Sequence, residues 1–297
     1  MFGIGMTISA EVLRYTAFTT DPGGGNPAGV VLDATGLDEA ARLAIAAELG
    51  YSETAFLTPG PERSYTVRYF SPKAEVPFCG HATVASAVAL AERIGPGRVV
   101  FETRAGTVPV DVTTGSGGVL EATLTSVEPY IEQVADADVA EALAALGWRR
   151  EELDQTLPPR IAYAGARHLV LAVATRRRLA DLAYDFERLA AFMTRLDLTT
   201  LQLVWRESAD TFHVRDPFPV GGVVEDPATG AAAAAFGAYL RELGELTPTA
   251  ESGAAVLTLH QGVDLGRPGL LRVELRPGDL RIRVSGAAVR IPDGVAG

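Results

Sequence analysis

The stretch Glu75-Val76-Pro77-Phe78-Cys79-Gly80-His81-Ala82-Thr83 holds a carboxylate, the chain's single thiol and an imidazole within a few residues. From Thr83 to Leu90 every residue is small or apolar. A helix without a polar face is buried. Such a helix exposes unpaired N–H groups only at its start, where they and the helix dipole attract an anion. Cys79-Gly80-His81 therefore reads as the floor of a pocket, with acid–base chemistry available from His81. A histidine capping a buried helix is the plain alternative.

A second stretch has the same form. Glu225-Asp226-Pro227-Ala228-Thr229-Gly230 opens the run Ala231 to Leu240, again without a polar face. Asp226 is either a site carboxylate or a helix-start partner worth about 1 kcal/mol. Gly80 and Gly230 would let backbone N–H groups approach a substrate carboxylate. Asn26, in Gly25-Asn26-Pro27, is a binding candidate, although that tripeptide is also an ordinary turn.

Several chemistries are excluded or disfavoured. One cysteine rules out disulfides within the chain and cysteine-based zinc sites, and the four histidines have no HExxH or HxH spacing, so nothing suggests a metal. Lys73, the only lysine, lies in an exposed-looking turn, which argues against Schiff-base chemistry. There is no GxxxxGK[ST] or GxSxG motif, and the Gly-rich Asp21–Asn26 segment lacks GxGxxG spacing, so it reads as a flexible turn rather than a dinucleotide cradle. A net charge of −11 argues against nucleic acid and anionic membranes as partners. No apolar run nears the roughly 20 residues needed to span a bilayer. Met1–Met6 lacks the features of a signal peptide, and the reading is cytoplasmic.

The elements that must position these residues follow from periodicity. At 297 residues the length suggests about two domains, and 47% hydrophobic content supplies the core of each. Strands are expected at Glu11–Phe18, Val30–Leu32, from near Glu53 to Leu57, Ser64–Phe70, Val99–Phe101 and Thr107–Val112, with a helix over Leu37–Leu49. The second half repeats the plan. It has helices at Asp138–Leu146 and within Leu179–Leu196, and strands at His168–Val173, Leu201–Trp205 and Asp210–Arg215. Val67-Arg68 lies twelve residues before Cys79, and Val214-Arg215 thirteen before Pro227. That spacing aligns Cys79-Gly80-His81-Ala82 with Pro227-Ala228-Thr229-Gly230.

With those residues in view, the chain resembles the PhzF family of phenazine-biosynthesis-like isomerases, within the diaminopimelate epimerase-like folds. The resemblance runs nearly end to end. It rests on Gly25–Val31, Ser52–Phe56, Arg68–Pro72, Glu75–Thr83, Ala166–Val170, Gly222–Gly230 and Gln261–Pro268. It implies an α+β chain of two pseudo-symmetric domains, each a mixed β-barrel wrapped around a central buried helix, with the active site between them. It also implies a homodimer and no cofactor. The boundary is placed at the Gly115–Gly118 turn: residues 1–117 with about 280–297 form the N-terminal domain, and 118–279 the C-terminal one.

The family's best-known reaction moves a proton between ring carbons of a dihydro-hydroxyanthranilate, with one carboxylate as base and then acid. By motif that carboxylate is Glu53, from Ser52-Glu53-Thr54, and its polar partners are His81 and Asp226. Burial raises a carboxylate's pKa, which suits one group to take and return a proton. Gly80, Thr229, Gly230, Ala231 and Asn26 match the substrate-binding positions. Ala231 departs from the pattern, which carries a serine there. The lost hydroxyl, worth about 1.5–3 kcal/mol to a charged group, puts the same substrate in doubt. Related racemases use one cysteine at each helix start; here the place matching Cys79 is assigned to Pro227. The expected function is a cofactor-independent isomerase of a small carboxylated molecule. The alternatives are a non-catalytic metabolite- or protein-binding member of the fold and a non-thiol epimerase.

Overall fold

The computed structural model describes residues 10–249 and 251–292, and Met1–Met6 lies outside them. The chain divides into two compact units. Unit 1 is Met1–Gly23, Pro27–Ala122 and Ala287–Gly297; unit 2 is Gly24–Asn26 with Thr123–Gly286.

The first half of the chain carries β1 (Leu13–Ala17), β2 (Asn26–Val31), β3 (Thr54–Pro59), β4 (Ser64–Phe70), β5 (Glu75–Val76), β6 (Gly97–Thr103), β7 (Gly106–Thr114) and β8 (Leu120–Thr125). Its helices are α1 (Glu39–Leu49) and α2 (Gly80–Ile94). α1 is capped by the Asp38 side chain at its start and by left-handed Gly50 at its end. β2 pairs parallel with β3, β3 antiparallel with β4, β4 parallel with β6, and β6 antiparallel with β7. This mixed barrel wraps α2, which packs against β1, β3 and β7 and is buried from His81 to Ala91. The small residues along α2 let the strands close around it. Its polar exceptions bond inward: the Thr83 and Ser86 hydroxyls donate to carbonyls one turn back, at 2.6 and 2.7 Å.

The second half carries β9 (Tyr130–Gln133), β10 (Arg160–Tyr163), β11 (Arg167–Ala172), β12 (Thr200–Arg206), β13 (Thr211–Pro217), β14 (Glu225–Asp226), β15 (Ala255–Gln261), β16 (Gly269–Arg276) and β17 (Asp279–Arg290). Its helices are α3 (Asp136–Leu146), α4 (Arg176–Ala180), α5 (Phe186–Arg195) and α6 (Gly230–Glu242). The pairings repeat those of the first half: β11–β12 parallel, β12–β13 antiparallel, β13–β15 parallel and β15–β16 antiparallel. Strands β9 to β12 and β16 pack around α6, which is buried along Ala232–Leu240. On the outer face of β11 and β12, Leu169, Leu171, Leu201 and Leu203 are buried with Leu143 and Leu146 of α3 and Leu189 and Phe192 of α5. Burying each such side chain stabilises the unit by roughly 1.5–3 kcal/mol. The alternate residues His168, Thr200 and Gln202 lie on the opposite face of these strands.

The structure thus has the expected α+β architecture of two similar mixed barrels, each around a buried helix. The helix expected within Leu179–Leu196 is α5, whose start Asp185 caps, and the short α4 ends before it at Ala180. Two local expectations change. β2 starts at Asn26, ahead of Val30, so the Asn-Pro segment is extended. The C-terminal strand is shared: Arg290, Val289 and Ala288 pair with β1 in unit 1, while its first half pairs with β16 in unit 2.

Candidate active site

In unit 1, Ser52 and Glu53 end the loop before β3, and Cys79 and His81 flank Gly80 at the start of α2. The backbone of Glu53 is pinned, since Gly29 N–H donates to its carbonyl at 3.2 Å. Gly29 has to be glycine: a Cβ there would lie 2.3 Å from the Leu49 side chain and 2.6 Å from that of Thr54. At the other edge, a Cβ added at Gly80 would meet nothing within 4 Å, so open space adjoins the start of α2.

The side chains converge. Glu53 Oε2 is 3.4 Å from His81 Nε2, and the two side chains are 18% and 7% exposed. Ser52 Oγ is also 3.4 Å from His81 Nε2. The Cys79 thiol donates to Glu53 Oε2 at 3.6 Å and lies 3.4 Å from His81 Nδ1. Cys79 holds the N-cap position of α2 without a side-chain capping bond. One donor atom each from Glu53, Cys79 and His81 falls within 4.8 Å of the others. The histidine and cysteine spacings suggested no metal, yet the fold assembles a carboxylate, a thiol and an imidazole at one point.

In unit 2, Asp226 sits in β14 with its carboxylate held by two neutral donors. Asn26 Nδ2 donates to Oδ1 at 2.8 Å, and the Thr229 hydroxyl donates to Oδ2 at 2.6 Å. The segment carrying Asn26 is tied down by Arg267, whose guanidinium donates at 3.0 Å to the carbonyls of Gly25 and Gly24. Gln261 braces the turn: its amide donates to the Asp226 carbonyl at 2.9 Å and its oxygen accepts from Thr229 N–H at 2.9 Å. The N-cap of α6 is Thr229, so the helix-cap reading of Asp226 does not hold. Gly230 and Ala231 are the first two residues of α6.

Behind Asp226 lies Asp216, its register partner across β13 and β14, fully buried. The Gln202 side-chain amide faces its two oxygens at 2.6 and 3.1 Å, and because both are acceptors the amide is assigned with its nitrogen on that side, donating to them. Burial pushes the Asp216 carboxyl well above the ordinary aspartate range. Hydrogen bonds to Thr229 and Gln261 oppose this, and the negative charges of Asp226 and Glu225 add to it. His168, also fully buried, bonds through Nδ1 to Thr200 at 2.8 Å, and burial pushes its pKa down to about 3.

The internal repeat extends to side chains. Arg68 and Glu75 pair in unit 1, and Arg215 and Glu225 pair in unit 2. Each glutamate stands five residues before its helix start, Gly80 or Gly230. On this alignment the counterpart of Cys79 is Thr229, so the sequence pairing with Pro227 is corrected. The loop of unit 2 between arginine and glutamate is longer, which shifted a count made from the arginines. The absence of a second thiol stands. Sequence reasoning also missed Gln202, Asp216 and Gln261 as supports of the site. Gln261 carried a signal in its Gln-Gly-Val-Asp motif; a buried aspartate beside Arg215 carried none.

A profile of the phenazine biosynthesis-like protein family matches residues 15–294. An uncharacterized isomerase of Mesorhizobium japonicum is 36% identical over 95% of this chain and 97% of its own length. The trans-2,3-dihydro-3-hydroxyanthranilate isomerase of Pseudomonas chlororaphis is 33% identical over 92% of this chain and 94% of its own. The crystal structure of a Bacillus anthracis PhzF-family phenazine biosynthesis protein superposes with a TM-score of 0.83 at 26% identity, covering 95% of this chain and 98% of that one. The chain belongs to the phenazine biosynthesis-like protein family, as one of its isomerases.

Proposed function

We propose that the protein is a cofactor-independent isomerase of a small carboxylated metabolite, with Glu53 moving a proton from one substrate carbon to another. The observation that carries this reading is the Glu53–His81 pair: a carboxylate 3.4 Å from an imidazole, largely shielded from water, with its backbone pinned by Gly29 N–H. Held in place this way, Glu53 removes a proton from one carbon and returns it to another within its reach. His81 orients the carboxylate. The reading gives Asp226 a polar role toward substrate, and gives Gly80, Asn26, Thr229, Gly230 and Ala231 parts in binding it. Backbone N–H groups at the helix starts suit a substrate carboxylate. With Ala231 in place of a hydroxyl, the preferred substrate lacks the group a serine would hold. Action as a cytoplasmic homodimer belongs to the same proposal; among the described residues no helix is long and apolar enough to cross a membrane.

The test is Glu53→Gln, assayed on small unsaturated carboxylic acids in deuterated water. Wild type should place deuterium on carbon in substrate or product, and the variant should lose this by at least about a hundredfold, the usual worth of a positioned acid–base. Equal exchange by folded Glu53→Gln would remove Glu53 from the mechanism. Stereoinversion without double-bond migration would favour the non-thiol epimerase. Ligand-induced stabilisation with no exchange would favour a binding protein.

A further inference from the structure

We propose that Asp216 is a positioning residue for Asp226: held protonated behind it, Asp216 aims the Thr229 hydroxyl at Asp226 and leaves Asp226 as the charged member of the pair. Asp216 is wholly buried and stands opposite Asp226 in the β13–β14 register. Such partners share one face of the sheet, with Cβ atoms about 4.5–5.5 Å apart. The adjoining cation is turned away, because the Arg215 guanidinium bonds Glu225 and the carbonyls of Leu179 and Ala180. The charges acting on Asp216 are those of Asp226 and Glu225, both negative. Gln202 supplies an amide nitrogen, a neutral donor that does not balance a buried charge. The Thr229 hydroxyl has one hydrogen, given to Asp226 Oδ2 at 2.6 Å. Gln261 has two amide hydrogens, given to the Asp226 carbonyl at 2.9 Å and to Thr229 Oγ at 3.0 Å. An ionised Asp216 would have to draw the Thr229 hydrogen away from Asp226. A protonated Asp216 donates instead to the remaining lone pair of Thr229 Oγ, which lies within its hydrogen-bonding reach.

The internal repeat shows that the fold does not need this arrangement. Asp216 follows Arg215 as Tyr69 follows Arg68, and Tyr69 stands opposite Val76 as Asp216 stands opposite Asp226. Unit 1 thus builds the same arginine–glutamate turn with a tyrosine and a valine. In unit 2 the position buries a second acid beside Asp226, which costs stability unless that acid keeps its proton. The chain Asp216–Thr229–Asp226 gives the proton a use: it fixes the direction of the hydroxyl that holds Asp226 Oδ2. Asn26 Nδ2 holds Oδ1 at 2.8 Å. The consequence for activity rests on the proposed role of Asp226 toward substrate, whereas the protonation of Asp216 does not.

The experiment uses the full chain and two readouts. Infrared spectra at about pH 7, where ordinary carboxyls are ionised, should show the C=O band of a protonated carboxyl. Asp216→Asn should remove that band, and Thr229→Val should shift it by taking away the group it bonds. The second readout is carbon-bound deuterium appearing in small unsaturated carboxylic acids. Asp216→Leu should lower kcat/KM for exchange by about tenfold to a hundredfold, the worth of a hydrogen bond to a charged group. Asp216→Asn should restore most of that loss, because a neutral amide donates to Thr229 as the protonated acid does. It should also remove the fall in exchange that ionisation of Asp216 causes as pH rises, a change that a merely structural role would not produce. The proposal is overturned by the absence of a protonated-carboxyl band in wild type, or by a band that survives folded Asp216→Asn or stays unshifted in folded Thr229→Val. Unchanged exchange by folded Asp216→Leu, or an equal loss in Asp216→Asn, would overturn it as well. If wild type exchanges no acid, the isomerase reading fails, and the infrared readout alone decides where the proton is held and what it bonds.

Discussion

Replacing Asp216 by asparagine should change how the stability of unit 2 depends on pH. Asp216 has no exposed surface and lies in register with Asp226. Burial raises its pKa well above the ordinary 3.8, with the Asp226 and Glu225 charges adding to the rise. The folded chain therefore keeps a proton that the unfolded chain releases above about pH 4. With a raised folded pKa, the stabilisation is complete below 3.8 and is lost as pH rises toward the folded value. Across that window one proton separates the states, so stability falls by about 1.4 kcal/mol per pH unit. Asparagine is neutral throughout and nearly the same volume. The stability of Asp216→Asn relative to wild type should thus improve steadily as pH rises above about 5, at about 1.4 kcal/mol per pH unit until the folded pKa is reached. Trp148 and Trp205, both in unit 2, report the transition in guanidinium titrations at each pH. Parallel stability–pH curves for the two proteins would show that Asp216 titrates normally and refute the reasoning.

The repeated arginine–glutamate pairs should differ in weight. Arg215 and Glu225 are 9% and 1% exposed, so Glu225→Ala strands a buried charge and should cost about 3–5 kcal/mol in chemical denaturation. Glu75→Ala should cost about 1 kcal/mol or less, because its partners Arg68 and Arg104 are 24% and 58% exposed and can turn to water. Gly262 has a φ of +76°, and a Cβ there would lie 2.3 Å from the Arg267 carbonyl oxygen. Gly262→Ala should therefore lower the thermal midpoint, with a cost above about 1 kcal/mol, while the matching Gly278→Ala, whose Cβ would meet nothing within 4 Å, should cost less.

The elements and the repeat were legible in the sequence because they depend on local pattern. Thr83–Leu90 and Ala231–Leu240 have no polar face, so a helix over either run must be buried, whatever surrounds it. The motifs around Glu53, His81 and Asp226 were legible for the same reason, as contiguous residue types. Their partners were decided by tertiary structure. Asn26 reaches Asp226 across 200 residues of chain, and Gln261 reaches Thr229 across 32. Asp216 became a buried carboxyl beside Asp226 only through the register of β13 and β14. Cys79 exchanged its supposed counterpart Pro227 for Thr229 because Cys79 and Thr229 are the residues that cap α2 and α6. Hydrophobic periodicity reports which face of an element is buried. The pKa of a carboxylate, or the set of donors around a thiol, depends on which distant strands close against that face, and their register is set by the packing of the whole barrel.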